Sequence, residues 1–167
     1  MTLAQRRTRE WTLWVVAASC AAHATEEYLT GWQQWARQAL GIAMPTEVFV
    51  VMNVILTIAA FAFARNGWRR PAVSLVIPTA TLVNAIAFHI VPTIVDRQIA
   101  PGLYTAILLY LPFSSWALVG AVRDGVRRTA IIAGAAAGIV MAFGVVAAAR
   151  QLARRSAPID ASVYVEC

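Results

Sequence analysis

The chain contains two histidines, His23 and His89, and both fall inside apolar stretches long enough to cross a bilayer. Two adjacent acids, Glu26 and Glu27, share the first of these stretches. A charged side chain at mid-bilayer costs about 2.5–3.5 kcal/mol on insertion scales, so such groups turn towards the protein interior and are read first as functional. At 100° per residue, with His23 at zero, Glu26 lies at about −60° and Glu27 at about +40°. One face of one helix carries all three residues, and Thr30 and Gln34 continue the stripe.

Two kinds of chemistry suit this spacing. In the H-x-x-E-H arrangement of one metallopeptidase class, the residues at i and i+4 bind zinc and the glutamate at i+3 is the base. Here position i+4 is Glu27, an acceptable zinc ligand. The metal site this spacing suggests is therefore His23, Glu27 and His89, with Glu26 as general base and zinc or iron as the ion. The metal-free alternative pairs two acids that oppose each other's ionisation in a desolvated interior. One holds a proton, the other stays ionised beside His23, and the set moves protons in isomerisation or hydrolysis of a lipid. The same residues also suit a proton relay in a small transporter or the pocket of a membrane binding protein. Against all of these stands an interhelical hydrogen-bond network that only fixes packing.

These residues must be positioned by membrane helices. Of 167 residues, 60% are hydrophobic and 13% charged, about half the charged fraction of an ordinary soluble domain. This composition excludes a soluble enzyme, a disordered chain and a coiled coil. All fourteen basic residues are arginine, so no lysine is present to act as nucleophile or Schiff base. The net charge of +6 sits in clusters between apolar runs, which fits anionic lipid rather than nucleic acid. Cys20 and Cys167 are too far apart in kind and place to build a disulfide framework.

Spans of about 20 residues are expected at Trp11 to Trp32, Thr46 to Ala64, Ala72 to Val95, Gly102 to Val122 and Thr129 to Ala149. Residues 1–155 then form one transmembrane helical domain, and 156–167 a short polar tail. Arg6, Arg7 and Arg9, Arg65, Arg69 and Arg70, and Arg123, Arg127 and Arg128 fall on one side. The positive-inside rule places that side, with the N-terminus, in the cytoplasm. Arg150, Arg154 and Arg155 fall on the other side and disagree. Pro78, Pro92 and Pro112 should kink or unwind their helices. Ala130, Gly134, Gly138 and Ala142 form a close-packing face on the fifth span. Trp11, Trp32, Trp35 and Trp68 suit the interfacial aromatic belt.

Depth brings further polar groups to the level of the histidines. At about 1.5 Å per residue, Glu27 lies about 8 Å from the outer end of its helix, His23 about 14 Å, Asn53 about 10 Å, His89 about 9 Å and Asn84 about 16 Å. Tyr104 and Thr105 begin the fourth span within about 5 Å of that surface. Asn53, Asn84, Tyr104 and Thr105 are therefore expected to position a substrate.

His23-Ala24-Thr25-Glu26-Glu27 in a first transmembrane helix resembles the HXXEE-domain proteins, small multi-pass bacterial membrane proteins. The Asn84…His89 element and Pro101-Gly102-Leu103-Tyr104-Thr105-Ala106, followed by Pro112, resemble that family too. The resemblance runs from about Trp11 to Pro112; a tyrosine frequent before the family's Pro-Gly is absent from Gln98-Ile99-Ala100. The resemblance implies an enzyme-like polar constellation without naming a substrate. The expectation is an all-α integral membrane bundle of about five transmembrane helices in the cytoplasmic membrane. The expected activity is that of an enzyme on a lipid-like substrate through His23, Glu26, Glu27 and His89, surrounded by membrane lipids, with a proton-coupled transporter or binding protein as the alternative.

Overall fold

The computed structural model describes residues 9–156. Arg6, Arg7, Cys167 and the expected tail beyond Ser156 lie outside the described residues. Among these, every regular element is helical: α1 (Trp11–Leu29), α2 (Trp32–Leu40), α3 (Thr46–Ala64), α4 (Pro71–Asp96), α5 (Leu103–Arg123) and α6 (Arg128–Ser156). Helices α3 to α6 are long and apolar enough to cross a membrane. The protein is an all-α membrane bundle. α1 is as long as α3, 19 residues each, but His23, Glu26 and Glu27 dilute its apolarity. It packs against α3, α4 and α5, so its polar face is turned to protein while Trp14 and Ala18 look outwards.

The first expected span is too long by three residues. Gly31 adopts φ 80°, a left-handed conformation that ends the preceding helix. Thr30 and Gln34 therefore do not continue the His23 stripe. The chain turns into the short amphipathic helix α2, whose Ala36 is fully buried with Ile42, Met44, Phe49 and Ala149. Trp32 and Trp35 pack on this cluster and line the cavity described below rather than serving only as an interfacial belt. Ending α1 at Leu29 also changes the depths. His23 lies six residues from the end of α1, about 9 Å, and His89 seven from the end of α4, about 10 Å. The two histidines share one level.

All three span prolines sit just beyond a break in helical geometry. The turn at Leu75 precedes Pro78, and wide π-type segments at Ala85–Ile90 and Ala106–Tyr110 precede Pro92 and Pro112. Proline removes one N–H donor and its ring crowds the carbonyl four residues earlier, so the turn before it opens. His89 lies in one widened segment and Tyr110 ends the other.

At the opposite end of the bundle, Leu13, Val16 and Ala17 of α1 meet Ala60 and Ala64 of α3, Leu75 and Ile77 of α4, and Ala117 and Ala121 of α5 in one core. Polar bonds close that end. Asp124 accepts from the Arg9 guanidinium and from Trp68 Nε1 at 2.9 Å, while Glu10 accepts the Trp68 backbone N–H at 2.8 Å.

The small-residue face of α6 does pack closely. A Cβ on Gly138 would stand 2.5 Å from the Val76 carbonyl oxygen and 2.6 Å from Thr79 Cβ, whereas one on Gly144 would meet nothing within 4 Å. Gly138→Ala should therefore destabilise the bundle by about 1–3 kcal/mol through overpacking. Gly144→Ala should be neutral or stabilising, because alanine is the better helix former by about 1 kcal/mol. Thermal unfolding of both variants in lipid nanodiscs checks the pair; equal melting temperatures would count against α6 docking through this face.

Candidate functional site

Three side chains expected to act together do converge. His23 and Glu27, one turn apart on α1, face His89 from the widened segment of α4, and all three are buried. His23 Nε2 lies 3.5 Å from Glu27 Oε1, and His89 Nε2 lies 3.7 Å from the same oxygen. One ligand-type atom from each of the three falls within 4.8 Å of the others. The imidazole rings meet edge to face, with centroids 4.7 Å apart.

The orientation of His23 is set by α5. Its Nδ1 is 2.8 Å from Thr105 Oγ1, and that hydroxyl donates its own proton to the Gly102 carbonyl at 3.2 Å. With its proton committed, Thr105 Oγ1 accepts from His23 Nδ1–H. The lone pair of the neutral ring is thereby left on Nε2, which faces Glu27 and His89. His23 Nε2 and both ring nitrogens of His89 are buried without a hydrogen-bond partner, an arrangement that costs about 1–3 kcal/mol per group.

Glu26 does not join this cluster. Its two carboxylate oxygens accept the backbone N–H groups of Tyr104 at 3.0 Å and Thr105 at 2.6 Å. These donors belong to the first turn of α5, where the N–H groups have no partner inside the helix and the dipole favours an anion. The spacing that suggested a general base at i+3 instead places Glu26 on a helix end. Tyr104 enters through its backbone alone, since its side chain is 57% exposed and outside the cavity. Thr105 acts on His23 directly.

Two participants carry no signal in their residue type. Gly102, at φ 86°, presses its Cα side against the cluster, and a Cβ there would stand 2.8 Å from His23 Cε1, 2.9 Å from Glu27 Cγ and 2.9 Å from His89 Cε1. Tyr110, 5% exposed, stacks tilted on His23 with centroids 4.3 Å apart. A tyrosine in an apolar run reads as core, and only its place before Pro112 hints otherwise.

The cluster opens on a cavity of about 170 Å³. Its polar end holds His23, Glu27, His89, Asn53 and Asn84; its walls are apolar residues of α3, α4 and α6, and α2 roofs it with Trp32 and Trp35. Asn84 Oδ1 is buried without a partner, whereas Asn53 gives Nδ2 to its own helix at the Phe49 carbonyl, 3.0 Å away. Both asparagines therefore reach the cavity, and the Asn84 acceptor is the buried, unpartnered one.

Fold and site together define a small polytopic α-helical membrane protein whose buried His–Glu–His cluster forms one end of an apolar cavity. Residues 14–117 match the family described as protein of unknown function with HXXEE motif, and the chain belongs to that family. His23, Glu26 and Glu27 supply the motif. No curated protein and no solved structure matches the chain.

Proposed function

We propose that this protein is an intramembrane enzyme acting on a lipid-like, apolar substrate. The observation that carries the reading is a single cavity with a largely apolar lining from α2, α3, α4 and α6, into which the ionisable groups His23, Glu27 and His89 converge beside Asn53 and Asn84. Sites for small molecules are typically apolar clefts with a few convergent polar groups that orient the ligand. An acyl or isoprenoid-like tail would lie along the apolar wall and leave its polar end at the cluster. There Glu27 exchanges a proton with the substrate, and the Nε2 atoms of His23 and His89 accept hydrogen bonds from its polar group. Asn84 offers an acceptor to orient the polar group. We place the substrate end in the outer half of the cytoplasmic membrane, because Arg69, Arg70, Arg123 and Arg127 gather at the other end.

The test is turnover. Purified protein in nanodiscs is incubated with a bacterial lipid extract and the lipids are followed by mass spectrometry. Wild type should yield a product of altered mass, and Glu27→Gln should lower its formation by about 10²–10⁴-fold, the usual share of a positioned acid–base group. A lipid that co-purifies unchanged would overturn the reading in favour of a binding protein. Solute movement that needs a proton gradient in liposomes would overturn it in favour of transport.

A further inference from the structure

We infer that His23 Nε2, the Glu27 carboxylate and His89 Nε2 bind one divalent transition-metal ion, in a tetrahedral site of the zinc type. The inference deepens the reading of the same site but does not require it, since acid–base chemistry at Glu27 needs no metal.

Donor chemistry supports it first. Two neutral imidazoles and one carboxylate form the three-protein-ligand set of a catalytic zinc site, with a fourth position kept open. An all-oxygen set would instead suit magnesium or calcium. Spacing supports it next. Atoms bound tetrahedrally at about 2.0–2.1 Å stand about 3.3–3.4 Å apart, whereas the same bonds at right angles bring them to about 2.9 Å. The two observed N···O edges, 3.5 Å and 3.7 Å, are longer than hydrogen bonds and close to the tetrahedral value. One ligand-type atom from each residue lies within 4.8 Å of the others, so binding would draw the two imidazoles slightly closer together.

The surroundings supply what a metal site requires. His23 donates its other ring N–H to Thr105 Oγ1, the outer-shell bond that fixes the tautomer and aims the lone pair at the ion. Both Nε2 atoms are buried and unpartnered, so coordination would satisfy them. A divalent cation would also balance Glu27, whose carboxyl group is 7% exposed and has the imidazoles of His23 and His89 as its nearest partners. All three residues line the cavity, so the open fourth position would face the substrate end.

The experiment uses the full chain in nanodiscs, stripped with chelator and titrated separately with zinc, cobalt(II) and anaerobic iron(II). Zinc is expected to bind one to one and raise the melting temperature. Cobalt(II) should give the intense visible bands of a tetrahedral centre, bleached by added zinc. His23→Gln, His89→Gln and Glu27→Gln should lose the bands, and Thr105→Val should weaken binding by about 10–100-fold. Where a variant does not fold, the wild-type cobalt spectrum decides on its own. Absence of stoichiometric binding by wild type would overturn the inference, as would bands that survive in His23→Gln and His89→Gln. A weak six-coordinate cobalt spectrum together with tighter iron(II) binding would overturn the tetrahedral assignment. Lipid turnover that persists after chelation would separate this failure from that of the enzyme.

Discussion

Gly102→Ala is expected to cost the protein both stability and its site. The residue combines two demands met in few other places of the chain. Its φ of 86° lies in the left-handed region, where a Cβ costs about 1–2 kcal/mol. Its Cα also sits against His23, Glu27 and His89, all of which a Cβ would approach to 2.9 Å or less. None of the three can retreat freely, because His23 is braced by Thr105 and Tyr110 and His89 is 1% exposed. Overpacking of a filled interior adds about 1–3 kcal/mol, for a total of about 2–5 kcal/mol. Gly31 provides the control, with φ 80° and nothing within 4 Å of an added Cβ, so Gly31→Ala should carry the backbone cost alone. Thermal unfolding of both variants, with lipid turnover as second readout, separates the two costs. Equal melting temperatures with retained turnover would mean that Gly102 shapes the loop without pressing on the cluster.

Gly102 also marks where sequence reasoning stops. His23, Glu27 and His89 were legible because ionisable groups in apolar runs are costly, and because a 100° step put His23 and Glu27 on one face; the common level of the two histidines emerged only when Gly31 ended α1 at Leu29. The membrane bundle followed from the apolar runs, and the opened turns before Pro92 and Pro112 followed from the chemistry of proline. Gly102 entered the sequence reading only within the Pro101–Ala106 resemblance, because a glycine has no functional group to notice and its importance comes from what packs on it. Tyr110 was hidden for a related reason, since an aromatic residue in a span is most often core. α2 escaped because its apolar residues run on from those of α1, so only the left-handed Gly31 separates the two. The helical wheel placed Glu26 and Glu27 about 100° apart but held no information on what lay opposite each. That depended on the tertiary placement of α5.

Glu26→Ala and Glu27→Gln should therefore have opposite effects, although the residues are neighbours in sequence. Glu26 holds the first turn of α5 through the Tyr104 and Thr105 N–H groups. Truncating it leaves the part-buried Thr105 N–H unsatisfied, at about 1–3 kcal/mol, while the exposed Tyr104 N–H can turn to water, and it removes a carboxylate from a helix N-terminus, worth about 0.3–1 kcal/mol. A loss of about 1–4 kcal/mol follows, and Thr105 should drift from His23, so activity falls as a consequence of lost structure. Among the described residues Glu27 accepts no hydrogen bond, its nearest partners being imidazole nitrogens at 3.5 Å and 3.7 Å. Replacing this buried acid with an amide of the same shape removes an ionisable group that no donor satisfies, at little cost and with some gain in stability when no cation is bound. Melting temperature measured in the presence of chelator should fall steeply in Glu26→Ala and hold or rise in Glu27→Gln, while lipid turnover should fall in both. Only the Glu26 variant should recover part of its activity at low temperature, where the loosened α5 is reseated. Should Glu26→Ala melt like wild type and lose turnover completely, Glu26 would belong to the chemistry after all, and its bonds to α5 would have to open during the reaction.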